Sequence, residues 1–186
     1  MQKVATSLPD VWELRPTVLR DARGYFLETF HRARFAELGI TETFVQDNQS
    51  HSLQGALRGL HYQLHHSQAK ICRVVEGEVL DVAVDIRIGS PHFGKWTSVR
   101  LSAAAMNQIY IPAGFAHGFL TLTKTATFVH KCSDFYDRQD EQGIAWNDPD
   151  IGISWGTESP LLSERDAACL KLRDVRQELL PRMHQK

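Results

Sequence analysis

The sequence predicts an all-β fold, a sandwich or barrel, with a short N-terminal helix and a helical tail. Strand-like runs recur through the middle of the chain, and turn residues separate them at regular spacing. No strand–helix alternation of the kind that builds a parallel sheet interrupts them. In chain order, the first element is a helix around His31 to Leu38, closed by Gly39 as a C-cap. Val74-Val75 leads into Glu76-Gly77-Glu78, a hairpin turn signal. Leu80, Val82, Val84 and Ile86 then interleave with Asp81, Ala83 and Asp85, the period of a half-buried strand. Trp96–Leu101, Gln108–Ile111, Phe119–Leu122 and Thr127–Cys132 are further strands, separated by Gly89-Ser90-Pro91, Pro112-Ala113-Gly114 and Thr123-Lys124-Thr125. A second helix is predicted from about Glu164 to Leu180, stopping before Pro181. At 186 residues and 42% hydrophobic content, the expectation is one domain over residues 1–186, with the tail at about 161–182.

Composition excludes several functions. Twenty-one Lys and Arg against twenty-two Asp and Glu leave a net charge of −1, so no global basic field attracts nucleic acid or an anionic membrane. Recognition of phosphate falls to a few local cations. The three cysteines, Cys72, Cys132 and Cys169, are odd in number and widely spaced, which fits a reducing cytoplasm rather than a disulfide framework or structural zinc. The first ten residues contain no apolar core of a signal peptide. Leu101 to Thr123 lacks charged residues, but it carries Asn107, Gln108, Pro112, Gly114 and Gly118. Two buried strands around a turn explain it better than a membrane span.

Nine histidines stand out in a chain so nearly neutral. Imidazole is the side chain whose ordinary pKa lets it take and give protons near neutral pH. His61 shares a strand face with Gly59 and Gln63, while Arg58, Leu60 and Tyr62 point the other way. Phe115, His117 and Phe119 share a face, as do Phe128, His130 and Cys132. Each histidine taken alone reads as a hydrogen-bonded core residue; together they read as polar groups lining a pocket. A metal site built from His61, His65, His66 and His117 is the alternative, but no His-x-His is present and the first carboxylate after the His61–His66 group, Glu76, lies on the turn. No metal and no cofactor are expected.

Six segments then carry a specific resemblance: Arg23–Glu28, Phe44–Asn48, Leu57–Gln63, Gly77–Asp85, Ile111–Phe119 and Trp146–Pro149. In order and spacing, from about Asp10 to Cys169, they resemble the dTDP-4-dehydrorhamnose 3,5-epimerase family. The resemblance implies a metal-independent cupin-type jelly roll, a homodimer, and epimerisation of a nucleotide-linked 4-keto-6-deoxy sugar on a route to rhamnose and related deoxysugars. It also implies roles. His61 becomes the base, Lys70 the cation that stabilises the enolate, and Asp166 the carboxylate that orients the imidazole. Arg23 and Arg58 become diphosphate ligands. Gln46, Asn48, Glu28, His117, Glu141 and Arg165 fall where the family contacts sugar or nucleotide, and Tyr136 where an aromatic stacks on the base. The chemistry suits these residue types. A ketone acidifies the hydrogens on its neighbouring carbons, and inversion needs a base, an oxyanion stabiliser and an acid on the opposite face.

Two points stay open in the residues themselves. Ser163-Glu164-Arg165-Asp166 has the form of a capping box, which explains an acid at that position without catalysis. Arg58 and His61 lie on opposite faces of a regular strand, so sharing one pocket requires a bulge, for which Gly59 is the natural place. One departure is marked. The family's general acid is a tyrosine immediately before a lysine, and here Phe128-Val129-His130-Lys131 puts His130 in its place. His130 then serves as an imidazolium acid, or the change restricts the chemistry to one centre such as C3 or to keto-isomerisation, or only nucleotide-sugar binding is retained. A metal-dependent cupin enzyme is the reading from a different class.

Overall fold

A computed structural model describes residues 1–183. Two antiparallel sheets pack face to face. The first has six strands: β1 (Gln2–Ala5), β2 (Trp12–Arg15), β10 (Gln108–Ile111), β7 (Lys70–Glu76), β12 (Thr125–Cys132) and β5 (Gln46–Leu53), in that order across the sheet. The second has five: β13 (Glu141–Gly143), β6 (Leu57–Gln63), β11 (Phe115–Thr121), β8 (Glu78–Asp85) and β9 (Trp96–Ser102). A separate hairpin, β3 (Val18–Asp21) with β4 (Gly24–Leu27), stands off both. The jelly-roll expectation holds. Four of the predicted strands fall on β9, β10, β11 and β12, and the short helix is α1 (Arg32–Glu37), with Gly39 at φ +83° beyond its end.

The period-2 pattern arises because each sheet offers one face to the other. Cys72, Val74, Val79, Ala83, Ile109, Phe119 and Phe128 fill the interior between the sheets. Both outer faces are covered as well. α1 lays Phe35 over Leu14, Ile71 and Tyr110 on the six-stranded sheet. The C-terminal segment lays Trp155, Leu172 and Leu180 over Leu60, Val82, Val84 and Ile144 on the five-stranded sheet. β8 is therefore buried on both sides from Asp81 to Asp85, not half-buried as its alternation suggests. Val82 and Val84 face the C-terminal cover, which puts Asp81 on the interior face with Val79 and Ala83.

Two further expectations need correction. The Glu76-Gly77-Glu78 turn does not make a hairpin: β7 and β8 lie in different sheets, and Gly77, at φ +76°, carries the chain across the edge of the sandwich. A side chain there would collide with the backbone of Thr125. The long C-terminal helix is also absent. α2 spans only Glu164–Ala167, followed by two single 3₁₀ turns at Leu172–Asp174 and Gln177–Leu179. Its leucines have helical spacing, but the backbone there is claimed by tertiary partners. Asp148 accepts from the Leu172 N–H, Tyr62 donates to the Leu179 carbonyl, and Arg182 bridges to Ile88. Those bonds, and burial of Leu172 and Leu180, override local propensity. Among the described residues no helix is long and apolar enough to cross a membrane.

Candidate active site

A cavity of about 620 Å³ opens between the two sheets. Its floor and one wall come from β6 and β11, which present Arg58, His61 and His117; the facing wall comes from β5, β7 and β12, which present Gln46, Asn48, Lys70 and His130. Tyr136, Glu141, Arg165 and Asp166 close the rim. Eleven of the thirteen sequence-derived site residues thus line one space. Arg23 and Glu28 do not. Arg23 lies at the tip of the β3–β4 hairpin paired with Asp21 at 2.6 Å, and Glu28 pairs with Arg34 at 3.0 Å.

The bulge predicted at Gly59 is present. His61 faces His117 across β6 and β11, yet Arg58 faces Phe119, so three steps on β6 match two on β11. Gly59 takes φ +121°, and a Cβ on it would sit 2.6 Å from the Gly118 Cα and 2.7 Å from the His117 carbonyl oxygen. Only glycine satisfies both the dihedral and the approach. The extra residue turns Arg58 toward the cavity beside His61. There Ser52 Oγ accepts from Arg58 Nε at 3.0 Å and holds the guanidinium at the mouth.

Asp166 Oδ1 lies 2.5 Å from His61 Nε2, and the carboxyl is nearly fully buried. Burial opposes its ionisation, but the His61 ring, the Ser163 hydroxyl and the Gly59 amide outweigh burial and hold it below the ordinary carboxylate range. Capping α2 and pairing with His61 are compatible at Asp166. Ser163 Oγ caps α2 by accepting from the Asp166 backbone N–H at 3.1 Å, which leaves the Asp166 side chain for His61. With Nε2 committed to Asp166, the nitrogen left for a substrate is Nδ1, which has Glu141 Oε1 3.9 Å away. A carboxylate on one ring nitrogen fixes the tautomer and makes the other a better base.

The remaining groups are held by identifiable bonds. His117, buried, has both oxygens of Asp81 at 3.0 and 3.1 Å from its Nε2. Lys70 opens β7 on the interior face, and no carboxylate lies within ion-pair distance of it among the described residues. At the rim, Tyr136 Oη donates to Glu141 Oε2 at 2.9 Å, and Arg165 bonds the same carboxylate. Gln63 accepts from the Asp137 N–H and donates to the Phe135 carbonyl, tying down the loop that carries Tyr136. Gln63, and Gln68 on the cavity wall, lie outside the residues that the sequence points to. The period-2 face that Gln63 shares with His61 is the signal that could have found it.

His130 sits in a different setting. Asn48 Nδ2 lies 3.2 Å from its Nε2, and its Nδ1 is buried without a protein partner. Burial, helped by the Lys70 charge and by His117, pushes its pKa down to about 3. Both the burial and the Asn48 donor oppose the imidazolium acid, one of the three readings that the sequence leaves open.

The histidines considered for a metal do not converge. His61 is bound to Asp166, and the His66 ring lies 3.4 Å from Asp134. The donor group that does converge among the described residues, Cys72, Asp81 and His117, is buried, and both carboxylate oxygens already face the His117 ring.

The sequence pattern that defines the dTDP-4-dehydrorhamnose 3,5-epimerases matches residues 5–174. A dTDP-4-dehydrorhamnose 3,5-epimerase of Shigella flexneri is 51% identical over 177 residues, which cover 94% of this chain and 98% of that protein. One of Neisseria gonorrhoeae is 53% identical over 169 residues; the match spans 90% of this chain but about half, 52%, of that relative's length. Among solved structures, the dTDP-6-deoxy-D-glucose-3,5-epimerase of Legionella pneumophila in complex with dTDP-4-keto-L-rhamnose superposes with a TM-score of 0.96 at 46% identity, covering 99% of each chain.

Proposed function

The chain belongs to the dTDP-4-dehydrorhamnose 3,5-epimerase family, and on that premise we propose that it inverts one or both carbons flanking the ketone of a nucleotide-linked 4-keto-6-deoxy sugar, the nucleotide being dTDP by analogy with the relatives. The observation that carries this reading is the His61–Asp166 pair at 2.5 Å on the wall of an open cavity that also holds Lys70 and Arg58. His61 Nδ1 takes the proton from the carbon next to the carbonyl. Negative charge moves to the ketone oxygen, where the Lys70 ammonium stabilises it. General base catalysis contributes roughly 10²–10⁴-fold, and a preorganised cation at the oxyanion supplies a further share. Arg58 at the mouth suits a diphosphate, since guanidinium binds phosphate bidentately and keeps its charge. Tyr136, exposed at the rim, offers a flat ring on which a base would stack.

The same reading gives a place to the two residues that lie away from the cavity. The β3–β4 hairpin exposes Leu19 at 61%, Tyr25 at 57% and Phe26 at 69%, an apolar arm that a single chain leaves in water. A homodimer covers it, and the arm then brings Arg23 and Glu28 to the partner's cavity. Phe26→Asp should yield a monomer by analytical ultracentrifugation. The free, mostly buried thiols fit a cytoplasmic enzyme. The test of function is NMR of a dTDP-4-keto-6-deoxyglucose sample incubated with the protein. New stereoisomers support the reading; unchanged substrate that nevertheless binds reduces the protein to a nucleotide-sugar binder.

A further inference from the structure

The wall facing His61 has an internal logic that begins at a backbone amide. The Tyr136 N–H can only donate, and it donates to Gln46 Oε1 at 2.9 Å. That fixes the Gln46 amide, whose Nε2 then donates to Asn48 Oδ1 at 2.9 Å. The Asn48 amide is fixed in turn, so its Nδ2 is the donor toward His130 Nε2 at 3.2 Å. A nitrogen that accepts a hydrogen bond carries a lone pair rather than a proton. Three bonds in series therefore place the His130 proton on Nδ1, and an imidazolium, with hydrogens on both nitrogens, would set N–H against N–H at Asn48.

We infer that His130 is permanently neutral, locked as the Nδ1–H tautomer by the Tyr136–Gln46–Asn48 series, and that the proton delivered on its side of the sugar comes from water. The inference rests on the epimerase reading for its second half only. Every charged or titratable group facing His130 agrees with the first half. The Lys70 cation lies on neighbouring β7, His117 on β11 of the opposite sheet, and no carboxylate hydrogen-bonds to the ring among the described residues. Phe128 packs against it with ring centroids 5.7 Å apart, adding burial without charge. In the step itself, the enolate collapses to the ketone as its carbon takes a proton from a water molecule. The C–H bond forms as the water O–H bond breaks, and the hydroxide left behind is neutralised by the proton that His61 removed. His130 gives up no proton and ends the cycle unchanged.

The direct test is ¹⁵N NMR of the His130 ring in the full chain between about pH 5 and 9. The expected result is a protonated Nδ1 and an unprotonated Nε2 throughout, with no titration. A midpoint inside that range, or a proton on Nε2, overturns the proposal. Asn48→Asp replaces the donor with an acceptor. It should move the proton to Nε2 and bring a titration into the range, and unmoved ring signals would show that Asn48 does not set the tautomer. The catalytic half is read from solvent deuterium entering the sugar. It should show no alkaline loss tracking a His130 titration, and a rate that falls with the ring's own midpoint overturns it. Absence of any deuterium at any pH defeats the epimerase reading instead, while the ring signals still decide the tautomer.

Discussion

His61 and His130 enter one cavity from opposite sheets, and their neighbours differ in the one respect that decides what an imidazole can do. His61 has a buried carboxylate 2.5 Å from one nitrogen. That partner welcomes a positive ring, so a proton can arrive on Nδ1 and be held. His130 has an amide donor on one nitrogen, a lysine on the adjacent strand and an aromatic ring against it. The donor, the lysine and the burial that Phe128 adds all disfavour a positive ring. A proton-accepting wall thus faces one that offers fixed hydrogen bonds. The comparison teaches that a histidine's role follows from the polarity of the atom bonded to its far nitrogen, which the residue name does not disclose.

The largest effect that could break this contrast comes from the accepting wall. Asp166→Asn removes the charge that favours the imidazolium, and turnover should fall roughly 10²–10⁴-fold with little change in KM. Steady-state kinetics checks it; unchanged kcat would leave Asp166 as the helix residue its capping box suggests. Next comes the acid stability of the other wall. Folded His130 stays neutral down to about pH 3, whereas an unfolded histidine protonates near ~6.5. Between those values the unfolded chain binds more protons, so stability is fully present above about 6.5 and is lost as pH falls, by about 1.4 kcal/mol per unit. Ordinary carboxylates titrate near ~4, but the other eight histidines share the window, so His130 is isolated by the difference in slope between the native protein and His130→Gln in urea melts between about pH 6.5 and 5. His130→Gln should flatten that slope, and a slope unchanged by the substitution contradicts the burial account.

Smaller effects sharpen the geometry on which the contrast depends. Gly59→Ala forces a side chain into a positive-φ site against β11, and should cost roughly 3 kcal/mol in urea unfolding while turning Arg58 and His61 out of register. Ser163→Ala removes the cap that holds Asp166 in place. It should cost about 1 kcal/mol in the same assay and lower kcat only a few-fold. A loss as large as that of Asp166→Asn would mean that the hydroxyl itself takes part.

Much of this was legible in the sequence because strands write their period directly. The runs at Trp96, Gln108, Phe119 and Thr127 were found where the sheets need them. The bulge was legible too, since a glycine between two residues that must share a pocket has one use. Features set by long-range contacts were not. The leucines at 172, 179 and 180 carry helical spacing, but the backbone of Leu172 is spent on Asp148, that of Leu179 on Tyr62, and Arg182 just beyond them pairs with Ile88, all far away in sequence. Gly77 has the same turn signal whether it closes a hairpin or crosses between sheets. In the cavity, residue types and family resemblance pointed to His61, Lys70 and Asp166, but the state of His130 hung on the direction of three amide bonds. Arg23 and Glu28 matched the family pattern while lying on an arm that leaves their own cavity.

The central claim is that His61 is the group that moves the proton. It is tested most directly by following solvent deuterium into a saturating dTDP-4-keto-6-deoxy sugar with the native protein and with His61→Asn. The account predicts deuterium beside the carbonyl with the native protein, and a rate lower by roughly 10² or more with the variant although the sugar still binds. Equal rates of deuterium entry in the two proteins would contradict it.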